Sequence, residues 1–143
     1  MPAVRLNPVV RSILDFTFQD IALENYQAAV LTAQQGWHNV SVACSYYAVF
    51  TAMGVVLGDP PGRRWEHAGI VEHFAPGQWR TPPAPIEREL TRAIRRLYAD
   101  RLTAHFRAVR LTSLESTASL TTARQVLRLV SGACGLSQGG MIL

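Results

Sequence analysis

The side chains of this sequence that could do chemistry on a charged substrate are arginine and histidine. Arg101 and His105 lie four residues apart in a predicted helix, so they are neighbours on one helix face. A guanidinium can hold a phosphate and stabilise the charge that develops during its cleavage. An imidazole with a pKa near neutrality can take a proton from a ribose 2′-hydroxyl or donate one to the leaving oxygen. The alternative is that both residues make ordinary polar contacts at a helix edge.

The second group of candidates, for contact with nucleotide or RNA, comprises Arg63, Arg64, His67, Tyr47 and Arg96. His67 is predicted on the apolar face of a short helix, where a histidine usually makes one hydrogen bond in the core, here to Tyr46 or Tyr47. Its functional alternative is a phosphate contact in a cleft shared with Arg63 and Arg64. Because adjacent helical residues face different directions, we expect one of the two tyrosines in the core and the other at a groove or dimer seam.

The stretch that must position these groups is residues 36–57, which contains no Asp, Glu, Lys or Arg. It predicts the central helix of a bundle, with an inward stripe formed by Val40, Ala43, Tyr47, Phe50, Gly54 and Leu57. A membrane span is the rival interpretation, because the uncharged run is long enough. Its histidine, asparagine, serine, threonine and tyrosine side chains make it too polar for lipid on all sides, so no membrane is predicted.

Apolar periodicity and capping signals predict further helices at about 9–16, 21–35, 64–74, 85–109 and 113–130. Asn7-Pro8 is a helix-start signal, and Thr112 with Glu115 fits a capping box. The inward positions of the last two helices are predicted to be Leu90, Ile94, Leu97, Leu102, Phe106, Leu120, Ala123, Leu127 and Val130. The Pro-rich loop at 75–85 would expose Trp79 and Arg80 unless it folds back. We therefore predict an all-α fold, an antiparallel up-and-down bundle of four to five helices in one domain, residues 1–131, followed by a Gly-rich tail, residues 132–143.

Composition sets limits on function. The chain has 143 residues and a formal net charge of +4, and every basic residue is arginine. This excess is too small by itself to predict nucleic-acid binding. Two cysteines make no disulfide framework, and the N-terminus shows no secretory signal, so we expect a reducing, cytoplasmic location. The histidines are scattered and no cysteine or histidine cluster has zinc spacing, so neither metal nor another cofactor is expected.

The order of these features resembles the HEPN family (higher eukaryotes and prokaryotes nucleotide-binding), in its small stand-alone bacterial form. The resemblance rests on Gly36-Trp37, on Tyr-Tyr-Ala-Val-Phe at 46–50, on His67 through Phe74, on Arg-Leu-Tyr-Ala-Asp at 96–100 and on the amphipathic segment 113–130. It covers roughly residues 20–131. The chain departs from the family at Arg101, where relatives usually carry tyrosine after Ala-Asp.

The resemblance implies a small helical domain that forms a homodimer and binds nucleotide or RNA. Many relatives are encoded beside a minimal nucleotidyltransferase in toxin–antitoxin pairs, so such a protein is the expected partner. Catalytic members of the wider family are metal-independent endoribonucleases that use an Arg followed shortly by a His, paired across the dimer. Arg101 and His105 match that motif with a spacing one residue shorter. The remaining alternative is a non-catalytic interaction module that docks through its tail or the Trp79 loop.

Overall fold

The chain folds into an all-α bundle, as predicted. The computed structural model describes the backbone of residues 8–134 and the side chains of residues 20–134. The helices of this range are α1 (Pro8–Gln34), α2 (His38–Leu57), α3 (Ile70–Phe74), α4 (Arg88–Phe106) and α5 (Ser113–Ala133). The two predicted N-terminal helices are one continuous helix. Asn7 and residues 135–143 of the predicted tail lie outside the described residues, and α5 extends two residues into that tail.

Helix α2 begins and ends where the sequence predicts and packs against each of the other four helices. Its predicted inward stripe is wrong, because only Ala43 of that stripe is buried and Val40 is 48% exposed. The buried side instead carries small residues with Tyr46 and Met53 among them. Small side chains allow neighbouring helices to approach closely, and apolar periodicity alone does not reveal this. By length and composition alone α2 could cross a membrane, and half of its most apolar window is buried within the bundle.

The third helix is shorter than predicted, because α3 begins only at Ile70 and His67 precedes it. Residues 58–69 form an irregular connection. Two sets of hydrogen bonds order it. The Trp65 Nε1–H donates to the Gly58 carbonyl at 2.9 Å, and the amides of Gly69 and Ile70 both donate to the carbonyl of Glu66. These bonds and the side-chain contacts of His67 hold the connection against α2 without regular helix.

The Pro-rich loop folds back on the bundle, so it does not present Trp79 at an exposed tip. The Trp79 ring stacks on Phe74 with centroids 4.7 Å apart, and its indole N–H donates to the Phe74 carbonyl at 2.8 Å. Gly77 makes the turn possible: its φ is +69°, and a Cβ there would lie 1.7 Å from the Ala84 carbonyl oxygen. Only glycine accepts both the left-handed backbone and this close approach.

At the other end of the bundle, Asn39 joins α2 to the connection between α4 and α5. Its side chain donates to the Val109 carbonyl and accepts from the Leu111 amide, both at 2.8 Å. The predicted capping box of Thr112 and Glu115 is present at the start of α5.

Phe106, predicted to lie in the core, is 73% exposed, because α4 ends at this residue and the chain turns away toward α5. Leu102 and Leu120 are half-buried, and the other predicted inward residues of α4 and α5 are buried.

Candidate functional site

Helix α2 presents two adjacent tyrosines to different surroundings, as expected. The Tyr46 side chain is 1% exposed and lies in the core, whereas Tyr47 is half-buried at the surface of the bundle. The two rings contact edge to face with centroids 5.7 Å apart. Tyr46 also packs against Phe50 and Tyr98. The result is an aromatic wall, formed by these four residues, that runs from the core to the surface.

His67 closes one side of this wall. Its Nδ1 lies 2.5 Å from the Tyr46 hydroxyl oxygen, which confirms the predicted hydrogen bond between His67 and one of the two tyrosines. Its ring stacks on Phe50 with centroids 4.2 Å apart and an interplanar angle of 21°. The imidazole is therefore held both in position and in orientation.

Ionisation favours one hydrogen-bonding arrangement for this pair. Burial raises the pKa of Tyr46 well above its ordinary value, so its hydroxyl keeps the proton. Burial lowers the pKa of His67, and the positive charges of Arg101 and Arg64 lower it further. The Tyr46 hydroxyl therefore donates a hydrogen bond to Nδ1 of the neutral imidazole. The ring's own proton is then on Nε2. In this arrangement His67 is a hydrogen-bond donor at Nε2, and its basic lone pair is already occupied.

Arg101, on helix α4, contacts the same aromatic wall. Its Nη2 donates to the Tyr47 hydroxyl at 2.9 Å. The guanidinium carbon lies 5.3 Å from the ring centroid of Tyr46, 5.4 Å from that of Tyr47 and 5.8 Å from that of Phe106. These distances are within the range of cation–π attraction. The guanidinium is therefore fixed in an aromatic cage, whose walls are Tyr46, Tyr47 and Phe106.

The charge of Arg101 has no counter-ion within the described part of the chain. The neighbouring Asp100 instead pairs with Arg96, at 3.5 Å, and the Nε of Arg101 is buried without a hydrogen-bond partner. A fixed, partly desolvated cation without a counter-ion costs free energy until an anion reaches it. The arrangement is suited chemically to an anion that approaches the cage from solvent, and two oxygens of a tetrahedral phosphate match two N–H groups of the planar guanidinium.

The structure brings together three of the residues singled out from the sequence, Arg101, Tyr47 and His67. His105 is exposed one turn beyond Arg101, and its ring lies 6.2 Å from that of Phe106. No hydrogen bond joins Arg101 to His105 among residues 20–134. Arg96 is exposed and engaged with Asp100 on the outer face of α4.

Arg63 and Arg64 border a groove whose lining does not include His67, although the charge of Arg64 acts on that ring. They line this groove together with Trp65 and His73. The connection at 58–69 lacks the predicted helix, so His67 faces α2 while the arginines face outward.

Sequence reasoning missed Phe50, Tyr98 and Phe106 as walls of the site. Tyr98 carried a usable signal, because it precedes Arg101 by three residues on α4 and so lies on the same helix face. Phe106 carried none, since its apolar character predicted the core. Across residues 20–134 no group of three or more His, Cys, Asp or Glu side chains is placed to hold a metal ion.

The fold and this site define a class: an all-α bundle with a caged arginine that has no counter-ion among residues 20–134. Comparison of the sequence with protein-family models and with curated proteins gives no match. The assignment of function therefore rests on the geometry described above and on the motifs of the sequence.

Proposed function

We propose that this chain is a HEPN-type protein that binds nucleotide or RNA phosphate at Arg101. The observation that carries the proposal is the guanidinium of Arg101, held by three aromatic rings and the Tyr47 hydroxyl, without an acidic partner in the described chain. A fixed cation costs little further side-chain entropy when it captures an anion.

The surroundings of Arg101 favour phosphate over a carboxylate of the protein itself. The Tyr47 hydroxyl can turn its own proton toward a ligand while it accepts from Arg101, and the guanidinium keeps further N–H donors of its own. Several donors around one cation suit the three terminal oxygens of a phosphate. The competing interpretation is a structural one, in which Arg101 serves only to cover the tyrosine rings.

The test is to measure the affinity of a short single-stranded RNA for the wild-type protein and for Arg101→Gln, by fluorescence anisotropy. Loss of a hydrogen bond between charged groups costs about 1.5–3 kcal/mol, so the substitution should weaken binding about 10- to 150-fold. Arg110→Gln is the matched control, because it removes the same charge from an exposed residue of the α4–α5 connection. Equal affinity of the two variants would leave Arg101 with only the structural role.

We further propose that the chain forms a homodimer and works in the cytoplasm with a nucleotidyltransferase-like partner. The support is the motif resemblance together with large apolar side chains exposed where α2 begins and α4 ends: Trp37, Val40, Phe106, Val109 and Leu114. An apolar surface of this kind marks an interaction site. Light scattering at micromolar concentration should give twice the chain mass, and Val40→Glu should reduce it toward that of one chain. A wild-type monomer across the concentration range contradicts the dimer.

A second candidate function is metal-independent cleavage of RNA by Arg101 and His105. Both side chains border Phe106 at the end of α4, and His105 is open to solvent. A phosphate held at Arg101 would lie within one helical turn of an imidazole able to transfer protons. Cleavage of structured RNA in the presence of EDTA that is lost in His105→Ala, and partly restored by free imidazole, would support this activity. RNA that stays intact at high protein concentration would exclude it.

A further inference from the structure

A half-open groove of about 630 Å³ lies on the outer side of the connection between α2 and α3. Its lining includes Gly62, Arg63, Arg64, Trp65 and His73. The volume is within the range of pockets that bind small ligands and cofactors. The groove is distinct from the cage around Arg101, because its lining includes none of the residues that contact that guanidinium, and His67, on the same connection, bonds to Tyr46 instead.

The two arginines of the groove are available to an anion. Arg63 makes no ion pair or hydrogen bond with any residue of the described chain. Arg64 lies 3.9 Å from Glu66, with side chains 84% and 75% exposed, so this contact is weak and screened by solvent. Two neighbouring guanidiniums on an exposed segment attract a phosphate, and each can donate hydrogen bonds to its oxygens.

The groove also contains an ordered aromatic pair. The Trp65 ring lies 5.1 Å from the His73 ring at an angle of 60°. The indole N–H of Trp65 is engaged by the Gly58 carbonyl, so the ring is anchored while its apolar surface borders the groove. Aromatic rings beside arginines form the combination on which nucleobases stack next to their own phosphates.

Gly62 leaves part of the groove open. A Cβ built on this residue would meet no heavy atom within 4 Å. Gly62 has no side chain to occupy the groove, and its φ is not in the left-handed region that favours glycine. This position therefore offers a way to fill the groove without straining the fold.

We propose that this groove binds one nucleotide unit, with the base against Trp65 and His73 and the phosphate between Arg63 and Arg64. The inference rests on the proposed function, since it adds a second subsite to a protein that binds phosphate at Arg101. Trp65 of the groove contacts the Gly58 carbonyl at the end of α2, and Arg101 contacts Tyr47, 11 residues earlier on that helix, so the two subsites touch α2 at points about 16 Å apart. A single strand can span that distance, and a free nucleotide can occupy the groove alone.

The test compares three proteins with one fluorescent single-stranded RNA octamer: Arg101→Gln, the double variant Arg63→Gln/Arg64→Gln, and the control Arg110→Gln. The double variant should weaken binding about 10-fold and lower the slope of log Kd against log salt by about 0.7 for each phosphate that it no longer neutralises. Unlabelled AMP is the second ligand. Competition by AMP that persists in Arg101→Gln and is lost in the double variant identifies the groove as a site for free nucleotide, whereas failure of AMP to compete with a bound octamer identifies a site for a strand.

The two proposals fail in different ways. If Arg101→Gln weakens RNA binding and the double variant does not, the groove inference is overturned and the Arg101 site stands. If only the double variant weakens binding, the groove is a nucleotide site and the proposed phosphate site at Arg101 is overturned. Gly62→Leu should reproduce the effect of the double variant by filling the groove, and the NMR signal of the Trp65 indole N–H should shift on addition of ligand. An unchanged indole signal with saturating RNA would exclude stacking in the groove.

Discussion

Tyr46→Phe tests the hydrogen bond that orders the site. The substitution removes one hydroxyl from a ring that is 1% exposed and leaves the packing volume nearly unchanged. Because no large cavity forms, any loss of stability reports the bond between the Tyr46 hydroxyl and His67 Nδ1, which are 2.5 Å apart.

The expected magnitude follows from the burial of both partners. A net intramolecular hydrogen bond contributes about 0.5–1.5 kcal/mol, and a buried group left unpaired costs about 1–3 kcal/mol. His67 is only half-buried, so solvent recovers part of that cost. We expect the free energy of unfolding to fall by about 1–2 kcal/mol, and Tm by about 3–8 °C for a chain of this size.

Urea unfolding followed by circular dichroism measures this change, with Tyr98→Phe as the matched control. Tyr98 packs against Tyr46, but its hydroxyl has no hydrogen-bond partner among residues 20–134. Its substitution should change stability by less than about 0.5 kcal/mol. If both variants unfold at the wild-type midpoint, the bond does not contribute to stability.

Three further predictions concern pH and two turns. Because the pKa of His67 is lowered in the folded chain, the unfolded chain binds the proton first as pH falls below about 6.5, and stability declines until the folded value is passed. His67→Gln should therefore flatten the decline of the urea midpoint below about pH 6.5, and an unchanged decline would contradict the shift. Gly77→Ala should lower the free energy of unfolding by about 1–3 kcal/mol or more, because its backbone is left-handed and the Ala84 carbonyl blocks a Cβ. Gly132→Ala is the control: this glycine lies in open space on α5, so the substitution should not destabilise the protein in the same urea measurement. Asn39→Ala should cost about 1–3 kcal/mol and speed amide exchange in the α4–α5 connection; exchange at the wild-type rate would show that its hydrogen bonds are not holding that segment.

Local signals predicted most of the helices. The uncharged run at 36–57 and the glycine that follows it define α2 to the residue, and the capping box starts α5 where Thr112 predicts it. These signals depend on groups within a few positions of one another in the chain. Their outcome changes little with the rest of the fold.

Burial was less predictable, because it depends on which neighbours a helix meets. Val40 and Phe106 are apolar at helical spacing, yet both are exposed where the chain turns between helices. The start of α3 differs from the prediction for the same reason: His67 is held by Tyr46 and Phe50 on α2, contacts that no local pattern contains. A hydrophobic stripe shows that a helix buries one side, and packing selects which side.

The sequence by itself determined the chemical groups of the candidate site and the bundle that carries them. Arg101, Tyr47 and His67 were all visible as residues suited to phosphate. Only the tertiary structure decided that these three meet around Tyr46 while Arg63 and Arg64 line another groove. The Arg101–Tyr47 bond joins residues 54 positions apart. Contacts of that range are set by the packing of α2 against α4, which is a property of the whole core rather than of either segment.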